Sequence, residues 1–201
     1  MLGKHIAFAG IDGSGKTTQA ELLVGWLQRN GKFAILREGK CDFVSQVSGM
    51  ISQRHGLEGN SALLGEDVYL TCLAYDTLRE TMFDVRPYAN AGATVVCARS
   101  PYCRLAGGVR RGAKTIERAE EIMLFDGPPD ITIWLDLSPE VARERIRSRS
   151  LEAPSLQQLE DYRRAFMCVL PEDRLHISID QAQSPIDVHR MVVSALGAVM
   201  S

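Results

Sequence analysis

Short apolar runs alternate along the chain with segments whose apolar residues recur at helical spacing. His5 to Ala9 reads as a strand, broken by Gly10-Ile11-Asp12-Gly13. Behind it, Ala20, Leu23, Val24 and Leu27 fall at i, i+3, i+4 and i+7, which is one apolar face of a helix. Asn30-Gly31 ends that helix. Phe33 to Leu36, Ala93 to Cys97, Ile131 to Leu137 and His176 to Ile179 are four further strand candidates. Residues 42 to 91 read as two or three helical pieces with a break at Gly56 to Gly65. Ser138-Pro139-Glu140 opens another helix, with proline at the first helical position and an acid in the first turn. Ser184-Pro185 opens the last, whose Val188, Met191, Val192, Ala195, Leu196 and Val199 make one continuous apolar face. Five strands alternating with helices predict an α/β fold, a five-stranded parallel sheet with helices on both faces. No repeat, linker or low-complexity tract interrupts the 201 residues, so one domain over 1–201 is expected.

Composition narrows the partners. A formal net charge of −2 argues against a nucleic-acid-binding protein, although a local basic patch is compatible with it. No apolar run approaches the ~20 residues that span a bilayer, and Met1 to Gly10 lacks a signal-peptide pattern. Cys41, Cys72, Cys97, Cys103 and Cys168 stand singly, without metal spacing, and several lie in apolar stretches. Buried, reduced thiols and a cytoplasmic location are expected, with no membrane or nucleic-acid partner.

The strongest chemical signal is Gly10-Ile11-Asp12-Gly13-Ser14-Gly15-Lys16-Thr17, which satisfies G-x-x-x-x-G-K-[ST] between a strand and an amphipathic helix. The glycines let successive backbone N–H groups turn inward onto anionic oxygens. The helix that starts near Gly15 adds the positive end of its dipole. Lys16 supplies a compact cation for the outer phosphates, and the Thr17 hydroxyl is placed to ligate Mg²⁺. Gly10, Asp12, Gly13, Ser14, Gly15, Lys16, Thr17 and Thr18 are therefore the candidate ATP-binding residues, on a P-loop NTPase fold. The chain has no guanine-reading N-K-x-D segment. The only strand that approximates the metal-binding strand of a motor ATPase, Ile131 to Asp136, comes late. The cradle says nucleotide and is shared by GTPases, ATPases and many transferases; the first two are disfavoured by these absences.

Five stretches, in order, resemble the thymidylate kinase family. They are the cradle with its trailing Thr18-Gln19, Leu36-Arg37-Glu38-Gly39, Val95 to Ser100, Pro129 to Leu137 followed by Pro139-Glu140-Val141, and Ile179-Asp180 with Ser184. The resemblance implies an ATP- and Mg²⁺-dependent nucleoside monophosphate kinase that works as a homodimer. It implies that Asp12 sits beside the acceptor and the metal, and that Arg37 and Arg99 hold the acceptor phosphate with planar, bidentate guanidinium groups. Glu38 either joins the metal, binds a sugar hydroxyl or is a solvated loop carboxylate.

The departures fall on the acceptor side. Ala98 stands where the family has an aspartate associated with Mg²⁺, and Gly39 where it has proline. The family's phosphoryl-contacting helix arginine falls near Thr77, where Arg79 is the nearest substitute. Its stacking aromatic falls near Leu73, with Tyr69 or Tyr75 as replacements, and Tyr75 is taken for the site. The segment that reads thymine there carries Arg104, Gly107 and Gly108 in place of small hydroxyls and a glutamine. Thymidylate is therefore expected to be a poor acceptor, because an arginine suits an acceptor-rich or anionic partner.

Arg143, Arg145, Arg147 and Arg149 follow the fourth strand candidate. Helical spacing puts Arg145 and Arg149 on one stripe, expected to close over the phosphates as a lid spanning about 143–158. Arg110, Arg111 and Lys114 form a second basic cluster, either an anion site or a solvated loop. Two other readings stay open: a kinase of a nucleoside or specialised small metabolite, and a nucleotide-binding protein with little catalysis.

Overall fold

In the computed structural model the described residues are 3–39, 43–149, 152–180 and 183–200. Cys41 lies outside them, as do two positions of the expected lid, 150 and 151.

Five strands form one parallel sheet in the order β2-β3-β1-β4-β5: β1 His5–Ala9, β2 Ala34–Arg37, β3 Thr94–Cys97, β4 Ile131–Leu137 and β5 Leu175–Ile179. Every residue of β1, β3 and β4 is buried, whereas the edge strands β2 and β5 are only partly covered. That contrast explains the sequence pattern. Strands covered on both faces read as unbroken apolar runs and are easily seen. β1 and β4 start where expected, while β2, β3 and β5 each begin one residue away from their expected starts.

The helices are α1 Lys16–Arg29, α2 Phe43–Arg54, α3 Glu66–Glu80, α4 Arg86–Asn90, α5 Pro101–Arg111, α6 Ile116–Met123, α7 Pro139–Arg147, α8 Leu156–Val169 and α9 Pro185–Met200. A π-helical turn, Thr81–Val85, joins α3 to α4. α1 packs on α9, while α5 packs on α3, α6 and α8, so helices cover both faces of the sheet. The core runs from Phe8, Ile133 and Leu135 of the sheet into Leu23, Leu70, Leu105 and Phe166 of the helices.

α5 was not apparent from the pattern, because Gly107-Gly108 is a poor helix interior. Tertiary packing outweighs that propensity. A Cβ at Gly108 would lie 2.7 Å from a Leu70 methyl, so the missing side chain is what lets α3 approach α5. Cys97 and Cys103 are buried as expected, but Cys72 is half-buried and Cys168 exposed; all four are free thiols.

The connections leaving β1 and β3, which are neighbours, cross the sheet in opposite directions. Such a reversal opens a crevice at the carboxyl ends of the two strands, where open α/β sheets bind ligands.

Candidate active site

The glycine loop leaves β1 at the mouth of that crevice. Gly10, Gly13 and Gly15 all have positive φ, at 145°, 84° and 92°. At two of them the space is also closed: a Cβ would lie 2.6 Å from the Leu135 carbonyl at Gly10 and 2.7 Å from the Ala142 carbonyl at Gly13. The loop is thus pressed against β4 and α7 with backbone only. Lys16 is buried, and its ammonium donates to the carbonyls of Gly10 and Ile11 at 2.8 Å each. Burial pulls its pKa below the usual lysine value, with smaller opposing influences from Cys103 and Asp12 and a further depression by Arg99. Thr17 is exposed at the start of α1.

A cleft of about 250 Å³ runs along one side of this loop. Gly13, Ser14, Gly15 and Thr18 form its floor, Gln183, Pro185 and Val188 its far wall, and Arg145 and Arg149 its rim. The expected arginine pair therefore meets here, though not for the expected reason. α7 ends at Arg147, so Arg149 reaches the rim from the turn after the helix and not from a shared helical stripe.

A second cleft of about 340 Å³ opens on the other side of the loop. Asp12 and Arg99 mark its inner end, where Arg99 Nη1 lies 3.8 Å from Asp12 Oδ1. One wall is α5, through Arg104, Gly107, Arg110 and Arg111; the facing walls are Tyr69 and Leu73 of α3 and Tyr162 of α8. Tyr162 donates its hydroxyl to the Cys103 carbonyl at 3.0 Å, and burial raises its pKa.

Several expected residues lie elsewhere. Tyr75 is 60% exposed on the outer face of α3, whereas Tyr69, 5% exposed, lines the cleft. The six-residue offset puts the two on different sides of the helix. Arg37 turns to the far side of its strand: its Nε donates to the Asp84 carbonyl and its guanidinium lies 4.6 Å above the Tyr88 ring. Arg79 faces Asp76 and Asp84 at 3.8 and 3.5 Å and lines neither cleft. Glu38 is exposed and outside both clefts.

Asp136, at the end of β4, is held by Arg163 through two hydrogen bonds of 2.7 and 2.8 Å and by His176 at 3.1 Å. Burial opposes its ionisation, but those partners outweigh it and keep the carboxyl below the ordinary range. Asp136 thus ties α8 to the sheet, close to the loop but committed to structural partners.

A family model for thymidylate kinase matches residues 8–192. The chain belongs to the thymidylate kinase family. It is similar to a probable thymidylate kinase of Thermococcus gammatolerans, 28% identical over 198 residues that cover 96% of this chain and 95% of the relative. It is likewise similar to thymidylate kinases of Caldanaerobacter subterraneus (28% over 207 residues, 98% and 96% covered) and Oleidesulfovibrio alaskensis (30% over 212 residues, 98% of each). As a member of the thymidylate kinase family it is a nucleotide kinase, a phosphotransferase acting on nucleoside monophosphates.

Within this thymidylate kinase fold Ala98 is buried behind β3, its N–H bonded to the Arg37 carbonyl at 2.9 Å. Gly39 lines the larger cleft with φ 64°, and a Cβ there would run into the Arg99 carbonyl. Tyr162 had no local signal, since it enters the site from a helix 59 positions beyond Cys103. Gln183 gave none either; only its place ahead of the Ser184-Pro185 helix start pointed to it.

Proposed function

We propose that this kinase moves the γ-phosphoryl group of ATP onto the phosphate of a nucleoside monophosphate, with ATP along the smaller cleft and the acceptor in the larger one. The observation that carries this reading is the position of the glycine loop between two clefts, with Gly13 to Gly15 lining one and Asp12 facing Arg99 in the other. An acceptor phosphate oxygen attacks Pγ, the bond from Pγ to the β–γ bridging oxygen breaks, and ADP leaves with that oxygen. Arg99 would hold the acceptor phosphate, exchanging its long Asp12 contact for two phosphate oxygens. Lys16 would exchange the Gly10 and Ile11 carbonyls for the outer phosphates. Arg145 and Arg149, on the rim above Gly13, would close over the equatorial oxygens as a lid.

The positive φ at Gly10, Gly13 and Gly15 fits a loop that turns its N–H groups onto a phosphate chain. Thr17 and Asp12 fit Mg²⁺, an ion that keeps several waters and takes one or two protein ligands beside the phosphates. When bound, Mg²⁺ neutralises charge on the transferring group. Ala98 leaves β3 without a carboxylate for that ion, and Asp136 is committed to Arg163 and His176.

A homodimer is supported by an apolar outer face. Val68 and Tyr75 of α3, Met82 and Phe83 of the π-turn, and Met50 of α2 are all exposed. A cluster of that kind on a monomer marks an association surface. Among the described residues no helix is long and apolar enough to cross a membrane, which suits a cytoplasmic enzyme in one domain.

Coupled ADP formation with a panel of nucleosides and nucleoside monophosphates tests the reading. Transfer to monophosphates, absent with the matching nucleosides, is expected. Faster transfer to a neutral nucleoside would replace it with the small-metabolite alternative. ATP binding without transfer to any acceptor would replace it with the low-catalysis one, for which Ala98 is the supporting observation.

A further inference from the structure

The acceptor-side cleft has an uneven chemistry. Asp12 and Ser100 lie at the inner end, Asp12 with one oxygen 3.8 Å from Arg99 and Ser100 sharing a hydrogen bond of 3.6 Å with the Cys103 thiol. The outer wall is the face of α5 that carries Arg104, Gly107, Arg110 and Arg111, at spacings of three and four residues. Two of these guanidinium groups are pinned by aromatic rings, Arg111 at 5.3 Å over Tyr69 and Arg110 at 5.4 Å over Tyr162. Arg111 is also bonded to Glu66 at 2.6 Å. Arg104 is set by the Ser45 hydroxyl, 3.4 Å from its Nη1, which also receives the Tyr69 hydroxyl at 3.1 Å. Both tyrosine hydroxyls therefore donate to the protein itself. Gly107 lines the same wall without a side chain, and the Arg111 guanidinium lies over it, Nη1 3.2 Å from where a Cβ would stand.

The geometry points to an acceptor whose base enters this cleft along the α5 wall and offers two adjacent hydrogen-bond acceptors to Arg104. This rests on the kinase reading above and deepens it. The O6/N7 edge of a 6-oxopurine has that chemistry, and so does a carboxylate carried on a pyrimidine. A planar guanidinium meets adjacent acceptors with two parallel bonds, as arginine does on guanine. Thymine places an N3–H between its two carbonyls, and a wall of donors leaves that proton unpaired.

The test is isothermal titration and coupled turnover with guanylate, inosinate, orotidylate and thymidylate, on the full chain and on its Arg104→Ala and Arg104→Lys variants. A bidentate arginine contact discriminates by about 5- to 150-fold, so either the 6-oxopurines or orotidylate should exceed thymidylate by that order. Which arm wins decides between the purine edge and the carboxylate. Arg104→Ala should erase the preference, and Arg104→Lys should keep the charge without restoring it, while ATP affinity holds in both. Unchanged melting temperatures exclude misfolding; if the alanine variant does not fold, the lysine variant and the parent's own ranking decide. Thymidylate binding as tightly as the best of the others, or a ranking that ignores Arg104, would overturn the inference. Binding that follows Arg104 without any ADP formed would sink the kinase reading and leave this one standing.

Discussion

In the proposed reading the two clefts beside the glycine loop hold phosphate-bearing groups by different means. On the ATP side the loop from Gly13 to Thr18 supplies one wall from neighbouring residues, through backbone whose conformation the glycines dictate, and Arg145, Arg149 and Gln183 add side chains at its edges. On the acceptor side they come from side chains on the first loop, β3, α3, α5 and α8, which only the folded chain brings together. A site made of consecutive backbone groups is written locally and tolerates little change. A site made of distant side chains can keep its fold and change its ligand. That is the expected pattern here: the cradle matches its motif in full, while Ala98, Arg104 and Gly107 stand where the resemblance implies other residues.

The largest effect should come from breaking the ATP side. Lys16→Met should lower kcat by at least ~100-fold, as loss of one well-placed transition-state donor does, with the melting temperature little changed. A rate within about 3-fold of the parent would show that Lys16 does not contact the transferring group.

The acceptor side should separate from it in the kinetics. Arg99→Ala should raise the acceptor KM by roughly 10- to 150-fold, the equivalent of one lost hydrogen bond to a charged group, with ATP KM nearly constant. Equal changes in both constants would mean that the two clefts are not independent.

A control outside both clefts is His5. Burial and the Arg86 charge, against the pull of Asp130, push its pKa down to about 4 from 6.5. The unfolded chain takes up this proton below about 6.5, while the folded chain resists until about pH 4. Stability is therefore complete above the higher value, declines as pH falls through that window and levels off below it, a change of order 3 kcal/mol. His5→Leu should flatten that part of the stability profile in denaturant titrations at stepped pH. A profile that stayed equally steep would assign the decline to other groups.

The smallest effect concerns the outer face of α3. Tyr75→Glu should weaken self-association in sedimentation velocity with little change in acceptor KM at concentrations where the parent is dimeric. A selective rise in acceptor KM would return Tyr75 to the site.

The same division governs what could be read from the sequence. β1, β4, α1 and the cradle were legible because each carries its own periodicity or motif. The Arg145/Arg149 pair was legible in its destination but not in its geometry, since α7 stops two residues short of Arg149. Tyr69 and Tyr75 both flank Leu73 in the sequence, and only the docking of α3 on α5 decides which ring turns inward. Arg37 sits at a strand end as expected, but a carbonyl of the π-turn captures it, and no sequence pattern announced that turn. α5 was hidden by the glycine pair that its packing requires.

The measurement that bears most directly on an intact ATP side beside an altered acceptor side is kcat/KM for thymidylate, set against the other common ribo- and deoxyribonucleoside monophosphates at fixed saturating ATP. Efficient transfer to another monophosphate, with thymidylate well behind it, is the expected result. Thymidylate turning over at ~10⁵ M⁻¹s⁻¹ or better and ahead of every other acceptor would contradict it.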